Sequence, residues 1–402
     1  MGRLPDGRVV FVPFGAPDEV VEISLQQNRK TYARGLLREV LRPSPDRVRP
    51  ACPLAAPDLC GGCPLMHLSE TSQHRAKHAW VCAAVRHTGA LVLPLLSPTP
   101  ALAYRLRTRM QLIEDGLSFA QARSEKRCAV SACPVLMPAL GKVLFDALRS
   151  TFGFMGLGAT VAAVCGNREG LPAVGLSIKP GQGAHTAALI SALGRLVSDS
   201  VVIGAQVLCT QLGQTEIELD RRFGPLLTSP AGFAQASQAG HSVLPKLVSE
   251  QVSDGLAGDG SVLELFAGSG NLTRALHQIA GSVVAVEGES CAAKRLSNWA
   301  QDKSQVVTLA VSVAEALARF ERKKRTFDVA VLDPPRTGAR ETIAQLARLT
   351  RHRVVYVSCD VMTLARDIVE FRRHGFFPKT VQPLDLMPQT AEIECVAVLD
   401  RA

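Results

Sequence analysis

Residues 262–287, VLELFAGSGNLTRALHQIAGSVVAVE, decide the fold of this chain. An apolar run ends in a turn that contains Gly268 and Gly270, a helical stretch follows, and a second apolar run ends in Glu287. Strand, glycine turn, helix and strand in this order are typical of a parallel α/β sheet. The glycine spacing is neither the dinucleotide fingerprint G-x-G-x-x-G nor a Walker loop, so the loop indicates a different nucleotide-like ligand. Glu287, at the tip of the second strand, suits a ribose diol.

The same alternation continues from about residue 228 to the end of the chain. Helices are predicted at Cys291–Ala300, Glu341–Leu349 and Thr363–His374. Further strands are predicted at Val306–Val311, Val329–Leu332, Val354–Val357 and Ile393–Leu399. Residues 228–402 are therefore predicted to form a doubly wound α/β domain with a mostly parallel sheet.

Three residues that can take part in catalysis lie next to these strands. Asp333 opens the sequence DPPR, Cys359 lies in VVYVSCD (354–360), and Glu394 stands beside the last apolar run. Open α/β sheets place their chemistry at the carboxyl ends of the strands, where a thiol can act as nucleophile and a carboxylate as base. Methylation of carbon 5 of a pyrimidine requires such a thiol, such a base and a methyl donor. Each of the three also has a purely structural interpretation. Cys359 would be a buried structural thiol, Glu394 a polar residue on a strand, and DPPR a rigid turn.

A second group of cysteines lies near the N-terminus. Cys52, Cys60 and Cys63, with Cys133 further along, have glycines between the second and third thiols, which allows both to approach one metal centre. Zinc and an iron–sulfur cluster both agree with these ligands, and Cys128 competes with Cys133 as the fourth.

The bulk properties limit the class of protein. A chain of 402 residues is longer than a single hydrophobic core supports, so we expect three domains. These are a small OB-type β-barrel (1–48), a central mixed α+β domain with the cysteines (49–227), and the α/β domain (228–402). The net charge of +9 and the pI of about 9.1 favour a nucleic-acid partner. Eleven cysteines without an apolar leader or a span of about 20 apolar residues predict a cytoplasmic protein without a membrane segment.

Together these motifs resemble those of the TRAM-domain RNA (uracil-5)-methyltransferases, the group that includes the 23S rRNA uracil methylases. The resemblance runs nearly end to end and is carried by Gly7–Gly35, CGGCPLMHL (60–68), FAQ (233–235), ELFAGSGNLT (264–273), DPPR, SCD and MPQTAEIE (387–394). The chain departs from the family pattern in five places. Met387 and Glu392 replace a Phe and a His, Ser237 stands where the family often has Asn, and seven residues rather than five separate Cys52 from Cys60. A further cofactor contact expected near Ser312–Glu315 has no clear equivalent.

The resemblance implies a class I (Rossmann-like) methyltransferase that methylates carbon 5 of a uridine in RNA. Cys359 would attack carbon 6 of the base and Glu394 would remove the proton from carbon 5. It also implies which residues hold S-adenosyl-L-methionine: Gln235, Phe266, Asn271, Glu287 and Asp333.

The same resemblance implies a [4Fe–4S] cluster on Cys52, Cys60, Cys63 and Cys133. It favours 23S rRNA over tRNA as the substrate and a monomer as the active form. Three alternatives remain at this point: the same chemistry on a tRNA uridine, a methyltransferase with another acceptor such as a different pyrimidine or an amide, and a non-catalytic iron–sulfur protein that binds RNA or senses redox state.

Overall fold

The structure is a computed structural model that describes residues 1–122, 124–168, 171–256 and 258–402. The strands are β1 (Gly2–Arg3), β2 (Val9–Phe11), β3 (Val20–Asn28), β4 (Tyr32–Arg42), β5 (Leu91–Val92), β6 (Arg107–Ile113), β7 (Gly116–Ala120), β8 (Arg127–Ala129), β9 (Thr160–Arg168), β10 (Leu171–Lys179), β11 (Gly204–Val207), β12 (Thr210–Gly213), β13 (Ile217–Asp220), β14 (Leu226–Thr228), β15 (Ser261–Leu265), β16 (Ser282–Val286), β17 (Val306–Leu309), β18 (Phe327–Leu332), β19 (Thr350–Ser358), β20 (Phe376–Leu384) and β21 (Glu394–Arg401).

The helices connect and cover these strands. They are α1 (Glu70–Val85), α2 (Pro138–Gly141), α3 (Phe152–Met155), α4 (Thr186–Ser198), α5 (Gln238–Ser253), α6 (Thr273–Leu276), α7 (Ser290–Ala300), α8 (Val313–Arg322), α9 (Arg340–Leu349) and α10 (Val361–Arg373). A π-helical turn (Lys142–Asp146) and a 3₁₀ turn (Ala147–Thr151) join α2 to α3. Among the described residues, no helix is long and apolar enough to cross a membrane.

The C-terminal sheet has the strand order β17-β16-β15-β18-β19-β21-β20-β5. Neighbouring strands from β17 to β19 are parallel, whereas β21 runs antiparallel to both β19 and β20. Helices cover both faces, so the central strands are apolar on both sides. Phe320 of α8, Ile343 of α9 and Ile368 of α10 pack on one face, and Val248 of α5 packs on the other. The predicted α/β fold is confirmed.

The N-terminal strands form a separate four-stranded sheet in the order β1-β2-β4-β3. Strand β2 is parallel to β4, and the other pairs are antiparallel. Within residues 1–48, all of which are described, no pairing joins β1 to β3, so the sheet is open. The OB-type barrel therefore remains a prediction.

The central residues form a seven-stranded sheet in the order β12-β11-β10-β9-β6-β7-β8. The pair β10–β11 is parallel and the remaining pairs are antiparallel, as expected for a mostly antiparallel region. One segment leaves this region: β5 pairs with β20, and Val81 and Val85 of α1 pack in the core beneath the C-terminal sheet. The domain limits remain predictions, with residues 70–97 packed against the C-terminal sheet.

Candidate active site

The strand registers align the predicted site residues along one edge of the C-terminal sheet. Leu265 is paired with both Val286 and Leu332, so the next residues, Glu287, Phe266 and Asp333, stand side by side on adjacent strands. Ser358 is paired with Cys395 in the antiparallel pair β19–β21. One step further along this register, Cys359 lies opposite Glu394. The sheet therefore brings together five residues that are spread over 129 positions of the sequence.

The loop after β15 has the shape of a ligand cradle. Phe266 has a positive φ of 61°, which is uncommon for a residue with a side chain, and Gly268 and Gly270 follow with φ of 56° and 88°. A Cβ on Gly268 would point into open space, so a ligand can approach the backbone there. A Cβ on Gly270 would lie 2.6 Å from the Arg274 guanidinium.

Two charged side chains hold this loop through hydrogen bonds to its backbone. Glu287 accepts hydrogen bonds from the backbone N–H of Gly268 at 2.7 Å and of Glu289 at 2.6 Å. Arg274 is buried and donates to the carbonyl oxygens of Gly270 at 2.7 Å and Pro225 at 3.0 Å. The loop is thus fixed before any ligand is present, which reduces the entropy cost of binding.

Cys359 lies between the end of β19 and the start of α10. Asp360 caps that helix by accepting hydrogen bonds from the N–H groups of Met362 and Thr363 at 3.0 and 2.9 Å. The thiol is partly buried. Burial raises its pKa to about 11, the negative charges of Glu394 and Asp333 add to this, and the positive charge of Arg336 opposes it.

Glu394 and Asp333 provide two carboxyl groups beside the thiol. Glu394 is 3% exposed, and burial, with the charge of Asp333, raises its pKa well above the usual value. Burial raises the pKa of Asp333 to about 7. Two carboxyl groups that are both costly to ionise are suited to exchanging protons near neutral pH.

Arg336 is the cation nearest to this group. It forms an ion pair of 2.5 Å with Glu392, two residues before Glu394, and both side chains remain accessible to solvent. Its charge lowers the pKa of both Cys359 and Glu394, although burial outweighs this at each site. The sequence shows Arg336 only as part of DPPR, with no sign of its partner.

Gln235 and Asn271 lie beside the glycine loop, near the start of α5. Gln235 packs against Gly240, where a Cβ would come within 2.5 Å of the glutamine Cβ. The Asn271 amide donates to the Gly240 carbonyl at 2.9 Å, and its oxygen lies 3.4 Å from Nδ1 of buried His241. Asn271 therefore ties the glycine loop to α5 in this structure.

Sequence reasoning assigned no separate role to two buried polar residues beneath the loop. Glu264 is 1% exposed, and Thr273 and the Arg274 guanidinium lie close enough to lower its pKa. Burial raises the pKa of Glu264 to about 8. The signal in the sequence is an acidic residue within an otherwise apolar strand, VLEL.

The four predicted metal-ligating cysteines line one cavity of about 310 Å³, far along the chain from Cys359. The cavity is mainly apolar, with Arg105 as its charged lining residue. Burial raises the pKa of Cys60, Cys63 and Cys133, and the charges of neighbouring thiolates add to the shift. A larger cavity of about 640 Å³ in the central region contains none of the predicted site residues.

Among the described residues, no group of three or more His, Cys, Asp or Glu side chains is arranged to hold a metal ion. The four cysteines share the lining of one cavity, and both zinc and an iron–sulfur cluster remain open for them. Cys128 also acts electrostatically on Cys60, so the choice between Cys128 and Cys133 as fourth ligand remains open, while Cys133 is the one that lines the cavity.

Comparison with known proteins agrees with this site. The model of the tRNA (uracil-5-)-methyltransferase family matches residues 238–402, and that of the TRAM domain matches residues 1–37. The 23S rRNA (uracil(1939)-C(5))-methyltransferase RlmD of Vibrio cholerae is 31% identical over 413 residues, which cover 97% of this chain and 90% of that protein. An uncharacterised RNA methyltransferase of Agrobacterium fabrum is 30% identical over 420 residues, with 100% and 96% covered.

A solved structure extends the agreement to the fold. The tRNA (uracil-54, C5)-methyltransferase of Pyrococcus abyssi, in complex with S-adenosyl-L-homocysteine, superposes with a TM-score of 0.72 at 21% identity, over 99% of this chain and 98% of that chain. The chain belongs to the S-adenosylmethionine-dependent RNA (uracil-C5)-methyltransferase family, with a TRAM domain at its N-terminus.

Proposed function

We propose that this enzyme methylates carbon 5 of a uridine in 23S rRNA through a covalent bond between Cys359 and carbon 6 of the base. The observation that carries the proposal is the register of β19 and β21, which brings the thiol and the Glu394 carboxyl together next to the glycine loop. A thiol, a base and a donor loop are the three components that this chemistry requires.

The reaction proceeds in three steps. The Sγ of Cys359, having lost its proton, forms a bond to carbon 6 of the uracil, and the displaced electron pair makes an enolate across carbons 4 and 5. Carbon 5 then takes the methyl group from the sulfonium, whose sulfur keeps the electron pair and leaves as a neutral thioether. Glu394 finally removes the carbon 5 proton, the double bond re-forms, and the bond to Sγ breaks with its electrons returning to sulfur.

The thiol needs help in the first step, because a pKa of about 11 leaves little thiolate near neutral pH. Arg336 supplies positive charge, and the start of α10 adds the positive end of its helix dipole two residues beyond the thiol. A carboxylate beside the thiol would accept the proton as the bond to carbon 6 forms. The uridine must leave its stack to reach Cys359.

The donor would lie across the glycine loop. Glu287 would accept hydrogen bonds from the ribose, Phe266 and Gln235 would flank the ligand, and Asp333 would face its positive charge. Asn271 would act by holding the loop to α5.

The substrate is inferred from the relatives. The Vibrio cholerae protein that matches nearly the whole chain at 31% identity is named for 23S rRNA, whereas the tRNA enzyme matches at 21%. A tRNA uridine is therefore the second candidate. The net charge of +9 suits either RNA. The expectation of a cytoplasmic monomer remains a prediction.

We also propose that Cys52, Cys60, Cys63 and Cys133 hold a [4Fe–4S] cluster. Four thiols that line a common space, with Arg105 to offset negative charge, support this proposal. When bound, the cluster would order residues 52–63 and 133, and methyl transfer needs no electron from it. Iron and sulfide analysis of protein purified without oxygen tests this, and zinc without sulfide would overturn it.

One experiment tests the main proposal. Protein and S-adenosyl-L-methionine are incubated with 5-fluorouridine-containing 23S rRNA or tRNA. Fluorine at carbon 5 cannot leave as a proton, so a covalent protein–RNA adduct should persist in denaturing gels with the rRNA. An adduct that is lost in Cys359→Ala supports the proposal. An adduct with tRNA alone would move the substrate to tRNA, and no adduct with either RNA would refute the covalent mechanism.

A further inference from the structure

The loop that leads to Glu394 is largely buried. Residues 385–393, which we call the base loop, connect β20 to β21. Asp385 is 0% exposed, Gln389 8% and Thr390 5%, which is unusual for a connecting segment. Gln389 also has a positive φ of 69°, a conformation that side chains rarely adopt and that surrounding contacts must hold.

Residues of the central region make those contacts. Gln73 of α1 donates to the side-chain oxygen of Gln389 at 2.9 Å and accepts from its backbone N–H at 3.0 Å. The N–H of Leu65 donates to the Gln389 carbonyl at 3.0 Å. The backbone and side chain of Gln389 are thus fixed by residues more than 300 positions earlier in the chain.

Two further contacts hold the loop on either side of Gln389. The hydroxyl of Tyr104 donates to the Pro388 carbonyl at 2.9 Å, and Tyr104 is buried. Nζ of Lys77 lies 2.7 Å from Asp385 and 3.1 Å from the Met387 carbonyl, with both charged side chains 0% exposed. A buried ion pair contributes little net stability, so this one fits a role in fixing a conformation.

These contacts differ from ordinary docking between the two regions. Helix α1 also packs against α10, and Arg372 donates to the Thr88 carbonyl at 3.2 Å, but neither contact touches the base loop. Docking is therefore provided elsewhere. The contacts of Gln73, Lys77 and Tyr104 fall on the segment that ends at the carboxylate.

We propose that Gln73, Lys77 and Tyr104 are positioning residues that hold the base loop so that Glu394 reaches the carbon 5 proton. The inference rests on the proposed role of Glu394. A displaced carboxylate would leave attack by Cys359 and methyl transfer intact but slow the removal of the proton. The methylated covalent adduct would then accumulate on ordinary uridine RNA.

The test follows adduct formation and release in single turnovers, with a 23S rRNA fragment and labelled S-adenosyl-L-methionine. Tyr104→Phe and Gln73→Met remove the hydrogen bonds with little change in volume. Tyr104→Phe, which removes one hydrogen bond to the loop, should slow release about tenfold, and Gln73→Met, which removes two, should slow it at least as much. Both should leave formation within about twofold. Thr151→Val, which removes a buried hydroxyl that donates to Leu148 instead, should change neither rate.

Lys77 requires a paired variant. Lys77→Met alone leaves the buried Asp385 carboxylate with only His74 at 3.9 Å and the Met387 N–H at 3.1 Å as partners, which is expected to destabilise the fold strongly. Lys77→Met combined with Asp385→Leu removes both charges, restores folding, and should still accumulate adduct. The inference is overturned if the variants slow adduct formation and adduct release equally. It is also overturned if they slow neither rate more than Thr151→Val does.

Two reference variants separate the inference from the proposed function. Glu394→Gln should accumulate adduct, and Cys359→Ala should form none. If both behave so and the positioning variants do not accumulate adduct, the inference alone fails. If Glu394→Gln releases product normally, or Cys359→Ala still forms an adduct, the proposed function fails and the inference falls with it.

Discussion

The two groups of cysteines show how neighbours decide what a thiol does. Cys359 stands singly at the edge of a sheet, partly accessible, with Glu394 and Asp333 beside it and a cation nearby. Cys60 and its partners face one another across an apolar cavity, with Arg105 as the charged group in its lining. Burial raises the thiol pKa in both places.

The two sites differ in whether neighbouring groups can exchange protons with the thiol. Carboxyl groups beside Cys359 can take up and release protons, so the thiol can form and break a bond in a cycle. The thiols around the cavity repel one another when ionised, so ionisation of several of them requires a cation as their common partner. A residue type therefore indicates a role only together with its surroundings.

The largest expected effect comes from removing the single thiol. Cys359→Ala should lower methylation by at least about 10⁴-fold, because the enolate cannot form without it. Cys291→Ser, at an exposed cysteine, should leave the rate unchanged. Transfer of labelled methyl to rRNA measures both. A Cys359→Ala enzyme with more than a hundredth of normal activity would remove the basis of the comparison.

A cluster cysteine should behave differently. Cys63→Ser should lower the iron content and the melting temperature, because bound metal contributes to folding. The rate of adduct formation per folded molecule should fall far less than in Cys359→Ala. Iron analysis, thermal unfolding and adduct trapping on the same preparation measure the three quantities. Loss of adduct with normal iron content and melting temperature would place Cys63 in the chemistry instead.

The sequence predicts much of the C-terminal domain because its strands are continuous apolar runs that end in polar residues. The strand β15 and the position of Glu287 follow from this pattern. The strand β20 was missed, since Pro378 and Pro383 interrupt it, and prolines argue against a strand. It lies near the edge of the sheet, where only short β5 lies beyond it.

The sequence predicts which residues form the site but not the contacts between them. The edge position of Cys359 and Asp333 follows from strand ends, but the antiparallel β21 that brings Glu394 back to the thiol does not. The resemblance supplied the role of Glu394. Gln73, Lys77 and Tyr104 were missed as contacts of the base loop, because partners more than 280 positions apart leave no trace in a single sequence.

The pH dependence of donor binding should sharpen the role of the carboxyl groups. Asp333 has a raised pKa of about 7, so it is mostly protonated below pH 7 in the free protein. A cationic donor favours the ionised form, so affinity should be constant well above pH 7 and fall by up to about tenfold per pH unit below it. Calorimetric titration with S-adenosyl-L-methionine measures this. Asp333→Asn should bind more weakly with a flatter profile, and an unchanged slope would assign the effect to another group.

The smallest expected effect concerns the cation at the mouth of the site. Arg336 lowers the pKa of Cys359, so Arg336→Gln should raise that pKa and slow adduct formation. The side chain is 64% exposed and solvent screens its charge, so we expect only about a two- to fivefold loss at neutral pH. The loss should shrink as the pH rises towards the thiol pKa, because the thiolate then forms without help.

Comparison of two variants separates the effect of the Arg336 charge from the effect of its ion pair with Glu392. Glu392→Gln breaks the same ion pair but leaves the positive charge of Arg336, and it removes a negative charge that raises the pKa of Glu394. It should therefore not slow adduct formation, whereas Arg336→Gln should. Equal losses in both variants, independent of pH, would show that the ion pair acts by holding the mouth of the site in shape rather than through the charge of Arg336.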